Sequence, residues 1–359
     1  MDRFKRIAPE SVPRTTRFGE VPKYAEGLYD LGNDIYAWMV PNGSWGESNS
    51  GLVVGKGSSL LIDTLWDLKY TRAMLEAMHP LARLNPIRTL VNTHADGDHW
   101  WGNELVPGAE TISSRAAFNE MRHIKPVSMI LMGSVLGKTL EYIGASRVGH
   151  WFSAMCAPYD FGEVTPSLPG RTFDRELTID AGGREIRLYM VGPAHTEGDV
   201  IVHVPDAGVL FCADIVFIDS TPVMWAGPVN NMIAALNRIL DMDADIIVPG
   251  HGPITDRSGV RLVLEYWQYV ESRANMRYDD GMSAAEAAAD ILLSIDFAAQ
   301  PFSRWNSPER MMTNVNTIYR HRSGRTGQPG VPGLLNVLAK QARIAHLLPD
   351  AQPAVMRKR

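Results

Sequence analysis

The sequence predicts an α/β protein in which closely spaced strands and helices are followed by a helical C-terminal region. Apolar, β-rich runs bounded by turn residues occur at 35–40, 50–55 and 59–63, as strands require. Between residues 67 and 78 the apolar positions change to mixed three- and four-residue spacings, which are typical of a helix. Strands that alternate with helices in this way favour an α/β core.

The same patterns continue in order along the rest of the chain. Further strands are predicted at 87–92, 110–113, 176–180, 185–191, 200–204, 209–214 and 245–248, and helices near 114 and at 229–240. Beyond about residue 257 only helical patterns remain, at 260–275, 284–293, 308–319 and 334–347. A capping box, Ser283-Ala-Ala-Glu286, begins the second of these C-terminal helices.

Residues 121–170 interrupt the strand pattern with a strongly apolar, methionine-rich segment. The segment is too long for a plain connection, and it predicts a helical insertion. Two arrangements fit it: a helical pair packed on the body, or a lid whose adaptable apolar side chains contact a ligand. We therefore expect an N-terminal arm over 1–26, a core over 27–256 that carries the insertion, and a helical extension over 257–359 packed on the core.

Composition and charge argue against several classes of protein. The 359 residues are 45% hydrophobic and 21% charged, and the net charge of −5 gives no electrostatic reason to expect nucleic acid or an anionic membrane. Cys156 and Cys212 have no spacing that would indicate a disulfide framework or a thiolate zinc cage. No apolar signal segment follows the N-terminal basic residues, and no run approaches the ~18 apolar residues of a membrane span. We expect a cytoplasmic protein with a small-molecule partner.

The segment Leu90–Asn103, with the sequence LVNTHADGDHWWGN, is the most informative part of the chain. An apolar strand ends there in a run of histidine and aspartate side chains: His94, Asp96, Asp98 and His99. Imidazole nitrogens and carboxylate oxygens are ligands of first-row metals, and Gly97 lets the turn bend tightly. An ordinary polar turn is the alternative, since Asp-Gly-Asp is also common turn chemistry.

Three more side chains of the same kind stand at strand ends later in the chain. His195 lies in the loop GPAHTEG, Asp214 closes a predicted strand, and His251 lies in the sequence PGHG. Glycine and proline flank both histidines, which lets backbone and side chains converge on a small volume. This recurrence makes an ordinary turn a poor explanation for residues 94–99, and the sequence predicts a metal site.

In these motifs the chain resembles the metallo-β-lactamase-fold superfamily, over about residues 30–256. The family pattern is H-x-H-x-D-H, followed by a histidine, an aspartate and a histidine in contexts similar to those at positions 195, 214 and 251. The resemblance implies an αββα sandwich of two mixed β-sheets flanked by helices, with two divalent metal ions at one edge of the sheets. The implied ligands are His94, Asp96 and His195 at the first metal, Asp98, His99 and His251 at the second, and Asp214 as a bridge.

Asp96 departs from the family pattern, which has histidine at this position. An acidic residue there is familiar from the flavodiiron branch of the family, whose metals are iron. Together with Asp98 and Asp214 it makes three carboxylates, and a more anionic first site suits iron or manganese better than zinc. The family as a whole favours zinc, with iron and manganese as alternatives. In a further alternative the first site is weak and Asp96 acts as a base beside one metal.

The resemblance implies a metal-dependent hydrolase that uses a metal-bound hydroxide. The apolar segment 121–170 favours an ester, thioester, lactone or amide of a largely apolar small molecule as substrate. Asp98 is the candidate that receives or relays the proton, and Asp96 is the second catalytic candidate. A diiron oxidoreductase or oxygenase is the alternative that Asp96 suggests. A purely structural metal protein is a third interpretation, and the concentrated charge of the full ligand set argues against it.

Several residues near the motifs have two interpretations each. By the resemblance, Asp63 steadies the ligand loop without touching metal, and a strand-end cap is its alternative. On a regular strand Cys212 would share a face with Asp214, yet a buried apolar cysteine is favoured over a redox or ligand role. Three tryptophans either line the pocket or pack in the core: Trp100, Trp101 and Trp225. The C-terminal helices either cover the site or form a homodimer contact.

Overall fold

Two β-sheets form the centre of the protein, of which a computed structural model describes residues 4–8 and 20–348. The first sheet has eight strands in chain order: β1 (Lys5–Ala8), β2 (Gly27–Gly32), β3 (Ile35–Met39), β4 (Ser50–Val54), β5 (Ser59–Ile62), β6 (Ile87–Val91), β7 (Glu110–Ser114) and β8 (Arg171–Phe173). Neighbours from β1 to β5 pair antiparallel, and neighbours from β5 to β8 pair parallel. The first sheet is therefore mixed.

The second sheet has five strands in the order β13-β12-β11-β10-β9. Their bounds are Glu176–Asp180 (β9), Glu185–Met190 (β10), Val200–Val204 (β11), Val209–Phe217 (β12) and Ile246–His251 (β13). Strands β9 to β12 pair antiparallel, whereas β12 and β13 pair parallel. A parallel pair needs a crossover, and the helix between these two strands supplies it.

Alternating side chains divide the apolar residues of each sheet between two layers. On β5, Leu60 and Ile62 pack in a core that they share with Ile186 and Val202 of the second sheet, whereas Leu61 packs on the opposite face. This is the two-residue period of a strand that is buried on both sides. The inner faces of the two sheets therefore pack against each other as a sandwich.

Helices cover both outer faces of the sandwich. They are α1 (Leu68–Ala82), α2 (Arg115–Met121), α3 (Val127–Ile130), α4 (Lys138–Tyr142), α5 (Ser146–Cys156), α6 (Val229–Asp241), α7 (Arg257–Asp279), α8 (Ala284–Leu293), α9 (Ile295–Ala298), α10 (Met311–Arg322) and α11 (Val331–Leu347). Met74 and Met78 of α1 pack with Leu61 on the first sheet, and α6 and α7 pack on the second. The predicted αββα sandwich of two mixed β-sheets flanked by helices is confirmed.

The segment 121–170 contains α3, a π-helical stretch over Leu131–Gly137, α4 and α5. Helix α5 buries Trp151 and Phe152 in an apolar cluster with residues of the metal-motif loop, so this helix packs on the body. The outer part of the segment exposes apolar side chains, including Val127 and Leu131. The segment therefore combines a packed inner helix with an apolar outer surface.

The C-terminal helices share one apolar core with the second sheet. Leu210 of β12 and Met224 belong to the same cluster as Val263 of α7 and Met311 of α10. Part of the predicted N-terminal arm is a strand, because β1 pairs with β2 at the edge of the first sheet. The rest of the arm and the last eleven residues lie outside the described residues. Among the described helices, none is long and apolar enough to cross a membrane.

Candidate metal centre

All seven predicted ligand residues lie together at one edge of the sandwich. The sheets bring them there because β6 leads into the 94–99 turn, the 192–199 loop joins β10 to β11, and β12 and β13 run parallel side by side. Six of the seven are buried: His94, Asp98, His99, His195, Asp214 and His251. Asp96 is the more open residue, with a side chain that is 28% exposed.

Asp214 occupies the middle of the group. Its carboxylate oxygens lie 3.2 Å from Nε2 of His99, 3.3 Å from Nε2 of His195 and 3.2 Å from Nε2 of His251. Nε2 of His94 is 3.9 Å away. A carboxylate surrounded by four imidazole nitrogens from three separate segments of the chain has the position that a bridging ligand between two metal ions would need.

The ligand atoms fall into two sets around this carboxylate. One set is His94, His195 and Asp214, and the other is Asp98, His99 and His251; within each set the donor atoms lie within 4.8 Å of one another. These sets agree with the division that the family resemblance implies, with Asp96 at the edge of the first. Oδ2 of Asp96 is 3.1 Å from Nε2 of His195.

Each of the four histidines is oriented by a hydrogen bond at Nδ1, the ring nitrogen that points away from Asp214. Nδ1 of His195 donates to the carbonyl oxygen of Val223 at 2.7 Å, and Nδ1 of His251 donates to that of Glu47 at 3.0 Å. A carbonyl can only accept, so each Nδ1 carries a proton and each Nε2 is the nitrogen left to bind a metal ion.

Asp63 orients the other two histidines. Its Oδ2 accepts from Nδ1 of His99 at 2.9 Å and from the hydroxyl of Thr93 at 2.7 Å. Because that hydroxyl donates to Asp63, its oxygen accepts from Nδ1 of His94 at 3.0 Å. Asp63 therefore contacts the ligand loop in the way that the resemblance implies. Its own φ of +61° is a left-handed conformation that aspartate tolerates better than most residues.

The residues present fit divalent metal ions. Nε2 of His94, Nε2 of His99 and Oδ1 of Asp214 are buried, and none makes a hydrogen bond of acceptable geometry within the described part of the chain. Buried polar atoms without hydrogen bonds are costly, and a divalent cation placed among these donor atoms would satisfy them. Imidazole and carboxylate donors suit zinc, iron and manganese alike.

Charges inside the group shift its pKa values strongly in the protein without metal. Burial opposes protonation of His195, but Asp214 and Asp96 together raise its pKa to about 10. Burial likewise opposes protonation of His99, and three neighbouring carboxylates raise its pKa well above the usual value. Burial and the positive charge of His99 lower the pKa of His94. In the protein without metal, the protonated imidazoles of His99 and His195 therefore balance part of the negative charge of the carboxylates. Bound metal ions would take over this role.

Asp96 is held by two donors of different elements. Its Oδ2 accepts from Nε1 of Trp225 at 3.0 Å in addition to its contact with His195. Burial acts to raise the pKa of Asp96, but its hydrogen bond with His195 and the charges of His195 and His94 lower it. Trp225 therefore lines the site, which is the first of the two interpretations that its sequence position allowed. Trp100 and Trp101 are fully buried in the core.

A β-bulge places Asp214, and it corrects the prediction that a strand ends there. Strand β12 continues through Asp214 to Phe217, and its register against β13 shifts at Ala213, whose φ is +44°. The bulge breaks the strict alternation, so Asp214 faces the centre whereas Cys212 packs in the apolar core. Burial raises the pKa of the Cys212 thiol, which agrees with the favoured interpretation of an apolar, unreactive cysteine.

Helix α10 supports the site from the C-terminal region, which sequence patterns did not indicate. Asn314 accepts from the backbone N–H of Met224 at 3.0 Å and donates to the carbonyl of Pro222 at 2.8 Å. The backbone segment between them provides Val223, whose carbonyl orients His195, and continues into Trp225. An asparagine in an amphipathic helix has no sequence signal for such a role, because the contact is more than eighty residues away in the chain.

The fold and the two ligand sets define a metal-binding α/β protein, and comparisons with known proteins give its family. Residues 43–251, more than half of the chain, match the family model of the metallo-beta-lactamase superfamily. The chain belongs to this superfamily. The matched segment ends at His251, the last of the predicted ligands.

Two curated relatives are hydrolases by name. A hydroxyacylglutathione hydrolase of Synechococcus sp. is 30% identical over 74 residues, which cover 20% of this chain and 29% of that protein. An alkyl/aryl-sulfatase of Saccharomyces cerevisiae is 23% identical over 183 residues, 46% of this chain and 27% of that protein. The matches thus span less than a third of each relative. Family and relatives together indicate hydrolase chemistry in general.

Solved structures share the fold. A metallo-beta-lactamase from Pontibacter korlensis superposes with a TM-score of 0.50 at 19% identity, over 68% of this chain and 99% of that one. A stereoselective inverting sec-alkylsulfatase from Pseudomonas sp. superposes with a TM-score of 0.65 at 15% identity, over 92% of this chain and 59% of that one. The second similarity extends beyond the sandwich core into the helical regions.

Proposed function

We propose that the chain is a metal-dependent hydrolase that cleaves an ester, thioester, lactone or amide bond of a largely apolar small molecule. The observation that carries the proposal is the orientation of four histidines, whose Nδ1 atoms are held from behind while their Nε2 atoms surround Asp214. His94, His195 and Asp214 would hold one ion, and Asp98, His99 and His251 the other.

Divalent ions bound there would lower the pKa of a water molecule and polarise the bond to be cleaved. The chain's own contribution is rigidity, because hydrogen bonds hold all four imidazoles in place before a substrate arrives. Asp63, Val223 and Glu47 keep the imidazoles in one tautomer and one orientation. The proposal therefore assigns these residues to positioning and the two ligand sets to metal binding.

Asp98 and Asp96 are the candidates for proton transfer. Oδ2 of Asp98 lies 3.5 Å from Nε2 of His251 and 3.7 Å from Nε2 of His99, and its side chain is 12% exposed. It can therefore reach both the centre and a substrate. Oδ2 of Asp96 is occupied by Trp225 and His195, so its other oxygen is the one that would take a proton or a metal ion.

A hydrolysis panel tests the proposal. Purified protein supplied with zinc, iron or manganese is assayed on apolar esters, thioesters, lactones and amides, and on alkyl and aryl sulfates because one curated relative carries the name alkyl/aryl-sulfatase. We expect turnover of at least one class, its loss on chelation, and its loss in His94→Ala and His251→Ala with the fold retained. Circular dichroism reports the fold, and His150→Ala, an exposed histidine of α5, is the matched control.

A diiron oxidoreductase or oxygenase is the second candidate, because Asp96 brings a third carboxylate to the edge of the first ligand set. It would be supported by protein that binds two irons and consumes oxygen but shows no turnover on the panel. Activity restored by zinc alone would remove it.

A further inference from the structure

The outer part of the insertion forms a groove that the metal centre does not use. Its volume is about 510 Å³, within the range of small-molecule sites. Met121 and Phe161 form buried parts of its wall, Ile130 and Val164 extend it, and none of the seven predicted metal ligands lines it. The groove is an apolar concavity at the surface, separate from the ligand atoms.

Two cations lie in this apolar surface without acidic partners. Arg122 and Lys125 line the groove and are exposed, and neither forms an ion pair within the described ranges. No acidic side chain lines the groove, and Glu163, which is next to it in the chain, lies 4.0 Å from Arg72. The lining therefore combines apolar walls with two cationic side chains and no acidic one.

We propose that this groove binds a monomeric amphiphilic anion, an alkyl chain with a carboxylate or sulfate head. The chain would contact the apolar walls, and the head would pair with Arg122 and Lys125, which supply charge-assisted hydrogen bonds. Charge complementarity selects this ligand, because a neutral amphiphile leaves both cations unpaired and a cationic one is repelled. The site is accessory to the metal centre, and its occupancy does not depend on bound metal.

Titration calorimetry of the full chain with decanoate, below the concentration at which it forms micelles, tests the proposal. We expect saturable binding of one decanoate per chain, equal in protein with metal and in protein treated with chelator. Charge reversal at both exposed positions, Arg122→Glu with Lys125→Glu, should weaken binding by about tenfold or more. Lys138→Glu reverses an exposed cation of α4 outside the groove and should leave binding unchanged.

A second variant tests the apolar wall. Val127 is 51% exposed, so Val127→Asp should fold normally and still weaken decanoate binding. The proposal is overturned if decanoate does not bind, or if decyltrimethylammonium or octanol binds as tightly. It is also overturned if only phosphatidylglycerol vesicles bind, or if Val127→Asp converts a dimer to a monomer without affecting decanoate. Because chelated protein is used in parallel, none of these outcomes depends on the hydrolase proposal.

Discussion

Asp63 shows how one buried carboxylate organises several ligand residues. It contacts His99 directly and reaches His94 through the hydroxyl of Thr93. A negative partner behind an imidazole increases the basicity of the nitrogen that faces the metal. The sequence shows Asp63 only as the last residue of an apolar run, so its contact with His99 could be anticipated from the family resemblance but not from a local pattern.

Asp63→Asn should weaken metal binding by about 10- to 100-fold, because the amide removes the charge behind His99. Asparagine tolerates the positive φ of this position, so the backbone should be retained. Competition with a chromophoric chelator measures the affinity. Asp174→Asn, which changes an exposed residue paired with Arg115, is the control and should bind metal normally. Equal affinity of both variants would contradict the role of Asp63.

Metal affinity should rise with pH and fall in acid. In the protein without metal, carboxylates raise the pKa of His195 to about 10 and that of His99 well above its usual value, so both are protonated at neutral pH. Metal must displace these protons, and raising the pH towards 10 removes the competition. Calorimetry in buffers with different ionisation heats should show proton release on metal binding at pH 7. Binding without proton release would contradict the assignment.

At the scale of elements, the bulge in β12 packs tightly against the end of β13. A Cβ on Gly250 would lie 2.0 Å from Oδ1 of Asp214 and 2.6 Å from the carbonyl carbon of Ala213. The glycine before His251 is therefore required by space, because β13 passes directly behind the Asp214 carboxylate. The sequence predicted that glycine lets side chains converge near His251. It did not show that Asp214 is the residue packed against Gly250, because that contact depends on the parallel pairing of β12 with β13.

Gly250→Ala should move Asp214 and lower the hydrolytic rate by about 100-fold or more, since a displacement near 1 Å at a site can have this effect. Metal content should fall in the same variant. Gly108→Ala adds a Cβ with nothing within 4 Å and serves as the matched control. Normal metal content and rate in Gly250→Ala would show that Asp214 does not need its observed position.

Local patterns predicted most elements of the sandwich, and their failures have physical causes. Strand β2 was missed because Gly27, Asp30 and Gly32 interrupt its apolar residues, and β8 because three residues are too few for a periodic pattern. The end of β12 was placed too early because a bulge does not alter the apolar pattern of a strand. The ligand motifs were predictable since each lies within a few residues, whereas Trp225 and Asn314 act over long sequence separations.

At the scale of the whole molecule, the C-terminal helices and the second sheet form one apolar core, and helix α10 also supports the metal centre. Asn314 holds the backbone at Pro222 and Met224, and Thr317 donates to the carbonyl of Met224 at 2.8 Å. The helical extension therefore supports the segment that orients His195 and contacts Asp96. The extension can complete the apolar core and support this segment without contacting a substrate.

Asn314→Ala should lower the free energy of unfolding by about 1–3 kcal/mol for each buried backbone group that it leaves unpaired. Because those groups flank Trp225, the variant should also change tryptophan fluorescence on metal binding. Urea denaturation measures the stability. Asn119→Ala, which alters an exposed residue of α2, is the control. A variant as stable as the control would contradict the supporting role of α10.

Elemental analysis of natively expressed protein tests the central claim of a binuclear metal centre most directly. We expect two divalent ions per chain, with zinc favoured by the family and iron or manganese by the third carboxylate. We also expect about one ion after His94→Ala or His251→Ala, because each variant removes a ligand from one set only. Protein that retains no metal, or that keeps full metal content in both variants, would contradict the assignment of these ligands.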